Sequence, residues 1–162
     1  MALLERFLVK ERDTLMSNRV RLVHAGRRER LSPKTLELLD ETIALTARNT
    51  GMTLCLAISY GGRQEITDAV RALVRDVVAG RLAPDAVDER AITARLYQPA
   101  LPDPDLLIRT AGELRVSNFL LWQIQYAEIW VTDVCWPEFG QQELHAAFTD
   151  YGRRTRKFGK VQ

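Results

Sequence analysis

Apolar residues recur along the chain in two rhythms, and the switching between them predicts the architecture. From Ala2 to Ser17, Leu3, Leu4, Phe7, Leu8, Leu15 and Met16 form one stripe with no Gly or Pro among them, which predicts a helix. Val20 to His24 alternates and predicts a short strand. Ser32-Pro33 reads as a helix start, because Ser can cap free N–H groups and Pro fits the first turn. That helix carries Leu36, Leu39, Ile43 and Ala47 on one side and is expected to stop near Asn49-Thr50-Gly51. Met52 to Ile58 is almost entirely apolar, the pattern of a strand buried on both faces. After the tight turn Tyr60-Gly61-Gly62-Arg63, a helix is expected with Ile66, Val70, Leu73, Val74 and Val77 inward, ending at Gly80.

Further along, a short helix is expected around Asp88 to Leu96, then a Pro-rich connection from Pro99 to Pro104. The remainder predicts a strand at Asp105 to Arg109, a loop over Thr110 to Val116, a helix entered near Ser117 and a strand at Glu128 to Thr132. A closing helix is expected over Gln141 to Arg156, with Leu144, Phe148 and Tyr151 on one side and Gly152 weakening its last turns.

Strands alternating with helices imply βαβ units, hence an α/β fold in which a parallel β-sheet is flanked by helices. No repeat or linker divides residues 1–162, so a single domain is expected. The sheet would have four strands, and the chain opens on a helix; the first strands of the fold are therefore expected to lie in a segment before Met1.

Composition narrows the function classes. At 46% hydrophobic and 27% charged, 162 residues can bury a core, and no apolar run is long enough to span a bilayer. Met1 leads directly into charged amphipathic sequence, so no secretory signal is read and a cytoplasmic protein is expected. A net charge of +2 gives no argument for nucleic acid. The basic clusters Arg27-Arg28-Arg30 and Arg153 to Lys160 read first as solvated faces, and alternatively as attraction to an anionic ligand or a membrane surface. Cys55 and Cys135 form no CxxC pair and are expected to be buried free thiols, and His24 and His145 are too sparse for a metal cluster.

In open parallel sheets ligands gather at the C-terminal ends of strands, and two loops occupy that position. In Ser59-Tyr60-Gly61-Gly62-Arg63, paired glycines let backbone approach a ligand and the next helix offers its N-terminus; a plain strand-to-helix turn explains the same residues. The second loop ends a strand on Arg109 and brings Arg115 six residues later, followed by Ser117 at an expected helix entrance. Two guanidiniums, a hydroxyl and free N–H groups suit a diphosphate; the competing reading has Glu113 neutralise the arginines while Ser117 merely caps. Glu128, at the start of the next strand, is a candidate Mg²⁺ ligand, since Mg²⁺ takes one or two carboxylates together with phosphate oxygens and waters. Asp133, in the Asp-Val-Cys-Trp-Pro turn, is read as structural.

The stretch from Asp105 through Ile108-Arg109-Thr110, Gly112-Glu113, Arg115 and Ser117-Asn118-Phe119-Leu120-Leu121-Trp122-Gln123 to Tyr126 and Glu128 closely resembles the signature of cis-prenyltransferases of the undecaprenyl diphosphate synthase type. Ser59 to Arg63 with Glu65-Ile66 matches a second motif of that family, and the resemblance covers essentially the whole chain. It implies repeated addition of isopentenyl diphosphate to an allylic diphosphate such as farnesyl diphosphate, with Z double bonds formed, pyrophosphate released, Mg²⁺ required and an apolar tunnel for the product. By motif position, Arg109, Arg115 and Ser117 would hold isopentenyl diphosphate, Glu128 the metal, and Tyr60, Gly61, Gly62, Arg63 and Glu113 would line the pocket. The resemblance also favours a homodimer, or a heteromer with a homologue, and is compatible with peripheral membrane contact. Residues of Met52 to Ile58 would face either the tunnel or the core.

The chain departs from the family pattern at two single residues, one triplet and one whole segment. Ala111 stands where Gly or Ser is commoner, Leu114 where some bacterial members have His, and Lys157-Phe158-Gly159 where Arg-x-Gly is frequent. The family's N-terminal Asp-Gly-Asn-Gly-Arg-Trp segment, which supplies the catalytic aspartate, has no counterpart between Met1 and Gln162. The expectation is therefore an N-terminally truncated Z-prenyl chain synthase holding one diphosphate half-site, with a non-catalytic partner subunit or an inactive relic as alternatives.

Overall fold

The computed structural model describes residues 2–155, so the Lys157-Phe158-Gly159 triplet lies outside the described residues. The chain forms two compact units, Met1–Pro99 and Ala100–Gln162.

In the first unit, α1 (Ala2–Lys10) and α2 (Arg12–Ser17) replace the single helix expected there. The break falls at Glu11, whose ψ of 3° leaves the helical range. Beside it, Arg12 reaches the next long helix, α3 (Pro33–Thr46), donating to Thr42 Oγ1 at 3.1 Å and to Glu41 Oε2 at 2.8 Å. Ser32 caps α3 as its sequence position implies, accepting from the Thr35 N–H at 3.1 Å.

The core of this unit forms where Leu8 of α1 and Leu39 of α3 meet Leu22 and Leu31, with Leu56 and Ile58 packed alongside. The apolar rhythm of α3 hid a second buried line, Thr35, Thr42 and Thr46, each inaccessible to solvent. Burial is tolerable because every one is bonded. Thr46 Oγ1 accepts from the Leu22 N–H at 3.0 Å and donates to the Thr42 carbonyl at 2.8 Å; Thr35 donates to Glu5 Oε1 at 2.7 Å.

Strands β1 (Arg21–Ala25) and β2 (Thr53–Ala57) pair in parallel with Leu22 opposite Leu54 and His24 opposite Leu56. β2 is not buried on both faces as expected: Leu54 and Ala57 are exposed. At the C-terminal end of the pair, Gly26 takes φ 133°, and a Cβ there would lie 2.1 Å from the Ile58 carbonyl oxygen.

The long helix α4 (Gly62–Val78) faces a direction its apolar rhythm did not predict. Its buried residues are Gly62, Glu65, Ala69 and Leu73, whereas Val70 and Val74, expected inward, are exposed. Glu65 is anchored to Tyr60 and Tyr97, which turns the small residues inward and the valines out. The short α5 (Glu89–Thr93) is capped by Asp88, which accepts from the Ala91 N–H at 2.8 Å.

In the second unit, β3 (Leu106–Arg109) and β4 (Glu128–Val131) pair in parallel, Leu106 opposite Glu128 and Arg109 opposite Val131. The four expected strands are thus all present but are hydrogen-bonded two and two. No helix begins at Ser117: Ser117, Asn118 and Leu120 have φ of 47°, 64° and 47°, which a right-handed helix excludes, and turns carry the chain to β4. α6 (Gln141–Arg153) packs on β4 and buries Ala147, with Leu144 and Tyr151 half-buried beside it. Phe148, expected on that side, is exposed. Neither cysteine is buried as expected: Cys55 is half-buried, and Cys135 is exposed where it precedes the one-turn 3-10 helix Trp136–Glu138. Among the described residues, no helix is long and apolar enough to cross a membrane.

Candidate functional site

The second unit brings together the charged residues of the long motif. β3 ends on Arg109, and the chain then turns through Ala111 and Gly112, both at positive φ. Two backbone bonds pin that turn to the segment after β4: Ala111 N–H to the Val134 carbonyl at 3.0 Å and Gly112 N–H to the Thr132 carbonyl at 2.9 Å. A Cβ on Gly112 would meet the Asp133 Oδ1 at 2.8 Å, and the φ of 64° there is one that glycine adopts without strain.

The turn delivers Glu113 between two arginines. Arg109 Nη2 donates to Glu113 Oε2, and Arg115 Nη2 donates to Glu113 Oε1 at 2.5 Å. Desolvation works to raise the Glu113 pKa, but bonding and charge from Arg115 and Arg109 outweigh it and hold the carboxyl below its ordinary range. The neutralising role read from the sequence for Glu113 is therefore present, and the same contacts set the two guanidiniums on either side of one carboxylate. Two cations on one anion leave a net positive charge. The Nε–H of Arg109 is buried with no hydrogen-bond partner among the described residues, a donor of the kind an oxyanion satisfies. Ser117 is exposed two residues after Arg115, and with no helix starting there the expected helix N-terminus does not contribute.

Glu128 opens β4, and its Oε2 accepts from Arg154 Nη1 at 2.8 Å. Arg154 also donates to Asp150 Oδ2 at 2.6 Å and to the Ile129 carbonyl at 3.0 Å, and its own pKa is raised, chiefly by the bond to Glu128. Sequence reading placed Arg154 only within a basic cluster; nothing local ties it to a residue 26 positions earlier. Among the described residues no three His, Cys, Asp or Glu side chains converge on a metal position. One hard carboxylate is the share of Mg²⁺ ligation that a protein supplies when phosphate oxygens and water supply the rest, and Glu128 fits that share with Arg154 as the competing cation.

The first unit organises the other motif. Tyr60 donates to Glu65 Oε2 at 2.5 Å, and Glu65 Oε1 accepts from the Tyr97 N–H at 2.9 Å. The two tyrosine rings meet edge to face, 6.0 Å between centroids. Gly61 and Gly62 are buried where α4 begins, while Arg63 is exposed on its first turn. Tyr97 donates to Asp68 Oδ2 at 2.7 Å, and Arg27 grips Asp68 from the other side. This chain of five residues, Tyr60, Glu65, Tyr97, Asp68 and Arg27, linked at Tyr97 through its backbone N–H, was invisible to sequence reading because its members are up to 70 positions apart. A cavity of about 300 Å³ opens at the end of β1 and is lined by His24, Gly26, Arg28, Tyr97 and Gln98 among others. His24 is buried and bonded to the Ile58 carbonyl at 3.0 Å, as a structural histidine would be, and burial lowers its pKa.

Parallel β-strands flanked by helices make this an α/β protein, and its likeness to known proteins gives the family. Residues 1–159 match the family described as putative undecaprenyl diphosphate synthase. The chain is 47% identical over 159 residues to an isoprenyl transferase of Streptococcus thermophilus, covering 96% of this chain and 64% of that protein. It is 50% identical over 134 residues to the ditrans,polycis-undecaprenyl-diphosphate synthase ((2E,6E)-farnesyl-diphosphate specific) of Xylella fastidiosa, covering 83% and 52% respectively. Among solved structures, the lavandulyl diphosphate synthase of Lavandula x intermedia, in complex with dimethylallyl diphosphate, superposes with a TM-score of 0.95 at 34% identity, over 98% of this chain and 69% of that one. A probable undecaprenyl diphosphate synthase of Campylobacter jejuni gives 0.85 at 33% identity, over 98% and 72%. The chain belongs to the undecaprenyl diphosphate synthase family of prenyltransferases. It spans about two thirds of the length of the isoprenyl transferases it matches.

Proposed function

We propose that the chain serves Z-specific prenyl chain elongation, in which isopentenyl diphosphate is condensed with an allylic diphosphate such as farnesyl diphosphate toward a polyprenyl lipid carrier. In that reaction the allylic C–O bond breaks and diphosphate leaves with the electron pair. A carbon–carbon bond forms to the isopentenyl unit, and loss of a proton creates the new Z double bond. The observation that carries the reading is the Arg109–Glu113–Arg115 arrangement with its unmet, buried Arg109 Nε–H.

Each residue has a stated task. Arg109 and Arg115 grip the isopentenyl diphosphate through forked donors, Glu113 spaces the two guanidiniums, and the Ser117 hydroxyl adds one further donor. Tyr60, Gly61, Gly62 and Arg63 line a pocket of the first unit, the Tyr60 ring being held by Glu65. Glu128 is the protein's carboxylate for Mg²⁺; when bound, the ion offsets diphosphate charge. A homodimer, or a heteromer with a homologue, and peripheral contact with a membrane complete the proposal.

Calorimetric titration of the chain with isopentenyl diphosphate, with and without Mg²⁺, tests the reading, paired with incorporation of labelled isopentenyl diphosphate into lipid in the presence of farnesyl diphosphate. Binding with incorporation supports it. Binding without incorporation, together with stimulation of a full-length homologue, would assign the chain to a partner-subunit role instead. Absence of binding to the folded chain would remove the diphosphate site.

A further inference from the structure

We propose that Arg154 is a displaceable internal counter-ion of Glu128, with Asp150 as its second holder, so that Glu128 becomes available to a divalent cation only when Arg154 lets it go. The inference deepens the reading of Glu128 as the carboxylate for Mg²⁺ and rests on it. Its test separates the failure of one from the failure of the other.

The arms of the Arg154 guanidinium are divided between two carboxylates. Nη1 donates to Glu128 Oε2 at 2.8 Å and to the Ile129 carbonyl at 3.0 Å. Nε and Nη2 both donate to Asp150 Oδ2, at 3.1 and 2.6 Å. Asp150 lies four residues before Arg154 in α6, so that pair is local. Glu128 opens β4, 26 positions earlier in the chain. One cation thus joins a carboxylate of the adjoining helix to a carboxylate of the strand the helix packs on.

This division makes the Glu128 contact the exchangeable one. If the bond from Nη1 to Glu128 opens, Arg154 keeps its two bonds to Asp150, and its charge is never left without a partner. Arg154 follows the last residue of α6 with φ −82° and ψ 143°, outside the helical range, so the helix itself does not fix its side chain. The Arg154 and Glu128 side chains are each 29% exposed, so the exchange opens no core. Among the described residues no other cationic side chain pairs with Glu128. While Arg154 holds it, the carboxylate charge is already offset, and the guanidinium repels a second cation at the same place. A bridge that merely positioned Glu128 would have the opposite consequence: its removal would weaken metal binding. The sign of one measurement therefore decides.

Mn²⁺, whose free paramagnetic signal falls on binding, serves as the probe, and Glu128→Gln identifies the share of binding that Glu128 carries. Arg154→Gln is expected to bind Mn²⁺ at Glu128 about threefold more tightly or better, and Asp150→Asn less tightly than the parent. Added to Arg154→Gln, Asp150→Asn should change nothing further, because Asp150 acts through Arg154. Arg153→Gln removes the same charge from the exposed neighbouring residue and should leave the affinity where it is. Each variant is checked for an unchanged melt. Should Arg154→Gln fail to fold, Arg154→Lys keeps the charge without the fork and should still bind more tightly than the parent. Unchanged or weaker binding in the Arg154 variant, with binding lost in Glu128→Gln, would overturn the counter-ion role and leave Glu128 as the metal carboxylate. Additive effects at 150 and 154, or an equal gain in Arg153→Gln, would reduce the effect to general charge and overturn it as well. No Mn²⁺ binding in parent or variant, or binding that Glu128→Gln does not alter, would remove Glu128 from the metal and the proposal with it.

Discussion

Arg27 holds Asp68 with both arms of its guanidinium, Nε at 2.9 Å from Oδ2 and Nη2 at 2.8 Å from Oδ1, and so ties the loop after β1 to the middle of α4. The geometry is bidentate and both side chains are mostly shielded, so the pair is worth more than a surface contact. The Arg27 bond, as the leading cause, holds the Asp68 carboxyl below its ordinary range. A depressed carboxyl contributes stability above its unfolded pKa, near 4, and loses it as pH falls through the lower folded value. Asp68→Asn should lower stability at neutral pH by about 1 kcal/mol and flatten the acid limb of the stability profile, measured by denaturant melts across pH. A parallel acid limb in the variant would mean that Asp68 carries none of that dependence.

Tyr97 contributes the opposite limb. Burial, and next the bond to Asp68, push its phenol up to about 12. A raised pKa stabilises the fold fully below the unfolded value near 10 and ceases to do so as pH rises through about 12. Alkaline unfolding in that window should be less steep in Tyr97→Phe than in the parent, while Tyr97→Phe starts less stable at neutral pH for want of the Asp68 bond. Tyrosinate absorbance followed alongside the melt identifies the group; an unchanged alkaline limb would reassign it.

What the sequence disclosed and what it hid divide by range. The Ser32 cap, a short helix near Asp88 and all four strands were legible, because a helix start and a strand are written in adjacent residues. The outward turn of Val70 and Val74 was not, because it depends on Glu65 being buried against Tyr97, 32 positions away. The helix expected at Ser117 failed locally: three non-glycine residues at positive φ leave no propensity signal that separates them from a helical run. In the candidate site, the Arg109, Glu113 and Arg115 cluster was legible because its members lie within seven consecutive residues, whereas the Arg154 partner of Glu128 was reachable only through the packing of α6 on β4.

Gly26 marks where the fold leaves no room. Its φ of 133° belongs to a region that L side chains rarely adopt, and a Cβ would press 2.1 Å from the Ile58 oxygen, a backbone atom already bonded to His24. Gly26→Ala should therefore cost at least about 3 kcal/mol, the upper end for strained backbone, since it combines a disfavoured dihedral with a backbone clash. Hydrogen exchange should show the loss first at the Ile58 and Arg27 amides, which close the strand ends. A variant that melts with the parent would mean the two loops can separate at little cost.

The two arginines of the candidate diphosphate site should not be equivalent. Arg109 ends a strand, its side chain is 31% exposed, and its buried Nε–H lacks a partner, so it is ordered before any ligand arrives and gains a bond when one does. Arg115 is 67% exposed and held by Glu113 among the described residues, so it gives up more side-chain freedom on binding and its charge is better screened by water. Arg109→Ala is therefore expected to weaken isopentenyl diphosphate binding by about 1.5–3 kcal/mol, the range for charge-assisted bonds, and Arg115→Ala by roughly 1 kcal/mol or less. Arg109→Lys should recover only part of the loss, because an ammonium keeps the charge but not the fork. Calorimetry on the three variants, each checked for an unchanged melt, decides the matter. Equal losses at the two positions would mean that overall charge rather than the preset Arg109 fork binds the ligand, and no loss at either would place the diphosphate elsewhere.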